Sequence, residues 1–122
     1  MPKQEEWSVV FYVDEKGEEP VREFLRSLDH RTQARFDWSI EQIRLRNVQA
    51  REPLVRHLEG KIWELRRESD TNIYRLLYCF LGERRILFLH GFQKKTQKTP
   101  RRELEMAQRR LENFLERERG ES

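Results

Sequence analysis

The sequence predicts a single α+β domain over residues 1–122, with elements in the order β-α-α-β-β-β-α. Two N-terminal helices pack on a twisted, mainly antiparallel sheet of about four strands, and a further helix closes the chain. Three observations carry this expectation. A β-branched and aromatic run opens the chain, two segments of helical periodicity follow it, and two long apolar runs stand back to back across a short turn containing glycine. With 36% hydrophobic and 39% charged residues in 122, the chain has apolar side chains enough for one interior.

The first strand is the run Trp7-Ser8-Val9-Val10-Phe11-Tyr12-Val13, closed by the polar turn Asp14-Glu15-Lys16-Gly17. Pro20 suits the first position of a helix, in which Val21, Phe24, Leu25 and Leu28 recur at i, i+3, i+4 and i+7 and which ends near Asp29. A longer helix runs from about His30 to Asn47, with Phe36, Ile40 and Ile43 on one stripe and arginines around the other side. Pro53 marks a loop before a strand over Lys61-Ile62-Trp63-Glu64-Leu65-Arg66. Asn72 to Leu81 and Arg85 to Phe92 then form a hairpin around Gly82-Glu83, since glycine at the first central position suits a type II′ turn. Both faces of this hairpin are apolar, which places it in the middle of the sheet. Thr99 is positioned to cap a last helix with Pro100 at its first position and Leu104, Ala107, Leu111 and Phe114 or Leu115 on its buried stripe.

Composition excludes several classes. Seven Phe, three Tyr and three Trp argue against a disordered chain. No apolar stretch approaches the roughly 18 to 20 residues of a membrane span, and the opening MPKQEEW lacks the order of a secretory signal, so a cytoplasmic protein with no membrane partner is expected. The lone cysteine, Cys79, lies in an apolar run and reads as a small core residue. His30, His57 and His90 share no ligand spacing, so neither a metal nor a cofactor is expected.

Charge is distributed unevenly. Lys and Arg number 25 against 22 Asp and Glu, yet acids dominate the first twenty residues, and Arg84 to Arg110 holds nine basic residues against Glu103 and Glu105. Nineteen of the basic residues are arginines, whose planar fork suits bidentate phosphate contact. The alternative is a solvated helix face with ion pairs. A two-residue turn at Gly82-Glu83 sets Leu81 opposite Arg84, Leu77 opposite Phe88 and Arg75 opposite His90. Arg75 is the only charge in its apolar run and needs a ligand, or an ion-pair partner such as Glu64 or Asp70. After His90 the chain carries Lys94, Lys95 and Lys98 into a helix N-terminus, which favours phosphate. A phosphodiester among Arg66, Arg75 and these lysines would have its charge countered, with Phe92 or Trp63 either stacking on a base or lying in the core.

The stretches GKIWELR, YRLLYCF and, most specifically, LHGFQKKTQKTPRRELEMA resemble the phage-type, HigB-like branch of the RelE/ParE toxin superfamily over roughly residues 7–116. The resemblance implies a RelE-like fold and the toxin of a type II toxin–antitoxin pair. Such a toxin is a metal-free RNase (mRNA interferase) that cuts mRNA on the ribosome and is neutralised by a HigA-like helix-turn-helix antitoxin. Arg66, Arg75, Lys94 and Lys95 match its functional positions. The chain departs from RelE itself, which has lysines on the strand of Ile62 and Glu64 and a tyrosine where Leu104 stands, so RelE's proton-transfer chemistry does not carry over.

The expected catalytic set is Arg66, Arg75, His90, Lys94 and Lys95, with Lys61, Trp63, Phe92, Lys98, Arg101 and Arg102 binding RNA. Arg66 and Arg75 would clamp the scissile phosphate, Lys94 or Lys95 would add charge or protonate the leaving oxygen, and His90 is the nearby side chain whose unperturbed pKa allows acid–base exchange near neutrality, although neighbouring arginines would lower it. Two other classes remain open. One is a ParE-like inhibitor of DNA gyrase, which would induce a DNA-damage response. The other is a non-catalytic RNA-binding module, whose affinity would depend steeply on salt without a cut product.

Overall fold

Five strands form one mixed sheet in the computed structural model, which describes residues 6–46, 55–94 and 98–120. The elements are β1 (Ser8–Phe11), α1 (Pro20–Arg26), α2 (His30–Arg46), β2 (Val55–Glu59), β3 (Ile62–Ser69), β4 (Asn72–Leu81), β5 (Arg85–Gln93) and α3 (Arg101–Gly120). Strand order is β1-β5-β4-β3-β2. β1 lies parallel to β5, and the other neighbours are antiparallel.

Two layers of helix bury the two faces of the sheet. On one face Val21 of α1 and Phe36, Ile40 and Ile43 of α2 meet Leu65, Tyr74, Leu76, Tyr78 and Phe88. On the other, Leu104 and Ala107 of α3 meet Ile62, Leu77, Cys79, Leu87 and Leu89. This is why β4 and β5 are apolar at consecutive positions: each alternate side chain enters a different core, and burying one Leu or Phe is worth roughly 1.5–3 kcal/mol. Pro20 opens α1 as expected. Asp29 caps α2, its carboxylate accepting from the Thr32 backbone N–H at 2.8 Å and from the Thr32 hydroxyl at 2.9 Å. These bonds hold the Asp29 carboxyl below its usual range.

The structure corrects four expectations. The sheet has five strands, because Val55–Glu59 pairs with β3 as an edge strand. Its five residues, VRHLE, are too short and too polar to declare a period. The β4–β5 turn has three residues, Gly82, Glu83 and Arg84, with Leu81 opposite Arg85. Glu83 and Arg84, not Gly82, take positive φ, at 63° and 56°. Arg84 O also accepts from Ser8 N at 2.7 Å, so the turn is built where β1 docks. Finally, the register slips between Leu77 and Tyr78, with Tyr78 opposite Phe88 and Leu77 opposite His90. Arg75 therefore faces Phe92 and not His90, as a bulge inserts Leu89. Nor does Thr99 cap the last helix with Pro100 at its first position: that helix begins at Arg101, and the Thr99 hydroxyl donates to Glu64 instead.

Candidate functional site

Alternation along β3 puts Ile62, Glu64 and Arg66 on the face covered by α3, and the antiparallel register sets Arg66 directly opposite Arg75 of β4. Like charges opposite each other in a ladder are unfavourable. Glu64, one alternation away, offsets the cost. Its carboxylate lies 3.3 Å from Arg75 Nε and 3.4 Å from Nη2 of Arg56 on β2, and it accepts from the Thr99 hydroxyl. Arg75 is 0% and Glu64 2% exposed, whereas Arg66 is half-buried. Burial draws the pKa of the Arg75 guanidinium below its usual value, Glu64 opposes this, and Arg66 and Arg56 add to it. Arginine still stays protonated at any physiological pH. Two guanidinium groups, those of Arg75 and Arg56, thus share the Glu64 carboxylate, with Arg66 across the ladder from Arg75.

His90 occupies a different part of the same face. Its Nε2 lies 2.6 Å from Glu103 Oε1, and Arg110 Nη1 donates to its Nδ1 at 3.3 Å and to Leu89 O at 2.8 Å. An acceptor Nδ1 fixes the neutral tautomer with hydrogen on Nε2, which donates to Glu103. Burial, ahead of the opposing hydrogen bond from Glu103, pulls the His90 pKa below 6.5, and the Arg110 charge lowers it further. The ring stacks on Phe92 at 5.4 Å and 23°. Both ring nitrogens are engaged in fastening α3 to β5.

The remaining expected residues divide by position. Lys94 is half-buried directly after β5, at the Arg66–Arg75 end, while Lys95 lies outside the described residues. Lys98, Arg101 and Arg102 are exposed around the start of α3. Arg101 forks onto Glu59 at 2.7 and 3.4 Å. Phe92 is core, 7% exposed, beside Leu77 and Leu104. Trp63 points to the opposite face of the sheet, edge-on to Phe80 and His57, and so does not share the face of Arg66 and Arg75. Lys61 is exposed in the β2–β3 turn, beyond the opposite end of β3 from Ser69. Cys79 is buried core, its thiol pushed up to about 11 by that burial.

Sequence reasoning offered Glu64 as an ion-pair partner for Arg75, and that pair forms. It missed Arg56 and Thr99. Arg56 had no signal, since its strand was unrecognised. Thr99 had a misleading one, because a Thr before Pro at a helix start reads as a cap.

A five-stranded mixed sheet with helices on both faces, and with Arg66, Arg75 and Arg56 close together on it, defines a small α+β protein. The chain belongs to the phage-derived Gp49-like family (DUF891), whose model matches residues 23–112, from α1 into α3. That family is related to RelE- and HigB-type toxins. No curated protein matches the chain. Among the described residues, no helix is long and apolar enough to cross a membrane.

Proposed function

We propose that this protein is the toxin of a type II toxin–antitoxin pair and acts as a metal-independent endoribonuclease on ribosome-bound mRNA in the cytoplasm. The observation that carries the reading is the Arg66–Arg75 pair, two guanidinium groups opposed across one ladder with Arg56 and Glu64 beside them. Proteins keep such an arrangement, which costs stability, where a field for an anion is needed.

In this reading the substrate's 2′-hydroxyl gives its proton to solvent water as its oxygen attacks the adjacent phosphorus, the bond to the 5′-oxygen breaks, and a 2′,3′-cyclic phosphate forms. Arg66, half-buried, contacts the phosphate as it gains charge. Arg75 lies behind it, held by Glu64, and contributes its field without moving. Lys94 gives a proton to the departing oxygen. His90 keeps α3 in place and does not exchange protons with the substrate, because both its nitrogens are committed. Positioning of the mRNA by the ribosome supplies in-line geometry. A helix-turn-helix antitoxin of HigA type, presenting acidic groups to Arg66 and Arg75, neutralises the activity.

The test is primer extension on mRNA in a translating extract. Wild-type protein should cut ribosome-bound mRNA, and Arg66→Ala should lower the cleavage rate about 10²-fold or more with unchanged melting temperature. Full activity of Arg66→Ala would remove the proposed centre. A DNA-damage response without mRNA cleavage would instead support gyrase inhibition, and salt-dependent RNA binding without product would support a binding module.

A further inference from the structure

Beside the Arg66–Arg75 pair, β2 and the start of α3 enclose an open cleft of about 630 Å³, within the range of roughly 300–1,000 Å³ that small-ligand sites occupy. Its floor is apolar, from Leu58, Pro100 and Leu104, and its rim carries Arg56, Glu59 and Arg101. Thr99 and Arg56 line the cleft and also contact Glu64, which in turn pairs with Arg75, so the cleft is linked to Arg75 through these side chains.

Arg56 meets Glu64 through Nη2 at 3.4 Å and is partly exposed at the cleft, where its guanidinium can meet an anion. Arg101 and Glu59 are a solvent-exposed pair, 61% and 46% exposed, forked onto each other, with Gln108 also donating to Glu59 and Glu105 near Arg101 Nε, so that donors and a carboxylate acceptor stand side by side at the rim. Such a pair matches a nucleobase edge, which also presents donors and acceptors together. An apolar floor suits the face of a base.

We propose that this cleft is the subsite for the nucleotide flanking the scissile phosphate, with the base over Leu58 and Leu104, its edge read by Glu59 and Arg101, and its phosphate on Arg56. The assignment rests on the nuclease reading above and extends it to base preference.

Two measurements test it. The first is binding of a 2′-O-methyl trinucleotide, which cannot be cut, by titration calorimetry. Leu58→Trp fills the floor and should weaken binding about tenfold, the loss of roughly one stacked base. The second is sequencing of cleaved mRNA ends from a translating extract. Glu59→Gln, an exposed substitution that leaves folding intact, should change the base enriched next to the cut by about threefold or more. Wild-type binding by Leu58→Trp together with a wild-type cut pattern from Glu59→Gln would overturn the subsite, as would loss of antitoxin binding in Leu58→Trp with RNA binding unchanged. Leu58-dependent RNA binding without any cleavage by the wild-type protein would uphold the nucleotide site and remove the nuclease reading alone.

Discussion

Arg75 and Glu64 form an ion pair at 3.3 Å in which neither side chain reaches solvent, and this pair ties β4 to β3 beneath the start of α3. Its worth lies in balance more than in attraction, because desolvating two charges consumes most of what their contact returns. Glu64 also serves Arg56, so its loss would leave two guanidinium groups facing a site without a counter-charge.

Glu64→Gln should therefore cost roughly 3–5 kcal/mol in urea unfolding, the range for removing one partner of a buried pair. Replacing both partners, as Glu64→Gln with Arg75→Met, should cost clearly less than the sum of the single changes, because no buried charge is then stranded. Additive costs in that double-mutant cycle would mean that the two side chains are not coupled.

His90 sets a pH window on stability. Its folded pKa lies below 6.5, chiefly through burial, with Arg110 acting the same way and Glu103 against it. A histidine depressed on folding gives its full stabilising contribution above the unfolded value and loses it as the pH falls through the folded one. The melting temperature of the wild-type protein should thus fall from about pH 7 to about pH 5.5 more steeply than that of His90→Gln, which keeps a donor for Glu103 but does not titrate. Parallel curves for the two proteins would show that His90 does not gain a proton on unfolding.

How much of this was legible depends on what each residue's signal was competing with. The bounds of β4, Asn72 to Leu81, are visible in the sequence because ten residues of apolar pattern run between two polar turns. The stripes Phe36-Ile40-Ile43 and Leu104-Ala107 lie buried as their spacing indicates. The pairing of Arg75 with His90 failed because register is counted outward from a turn, and two local events intervene. Arg84 joins the turn in a left-handed conformation, and Leu89 is inserted as a bulge. Each adds one residue to β5's side of the count, which moves Arg75's partner two places to Phe92. Bulges have no composition cue in this chain. Trp63 was drawn toward the arginines by proximity in sequence, yet period-2 alternation puts it on the opposite face from Glu64 and Arg66.

Gly91 provides the sharpest packing test. It lies opposite Leu76 in the β4–β5 ladder, on the face covered by α1, with His90 and Phe92 on either side facing α3. A Cβ at this position would stand 2.5 Å from Cδ2 and 2.9 Å from Cγ of Phe24, and 3.0 Å from Cδ2 of Leu76. Phe24 cannot simply swing aside, since its ring packs between α1 and the sheet near Tyr74, 6.5 Å between centroids. The glycine is thus required by the close approach of a helix side chain. Gly91→Ala should cost about 1–3 kcal/mol, the range for overpacking a filled core. Phe24→Leu in the same chain should recover part of that loss, although Phe24→Leu alone destabilises, because the smaller side chain makes room for the added methyl. Thermal melts of the four proteins check this, and a Gly91→Ala variant as stable as wild type would show that α1 does not seat Phe24 against β5 in solution.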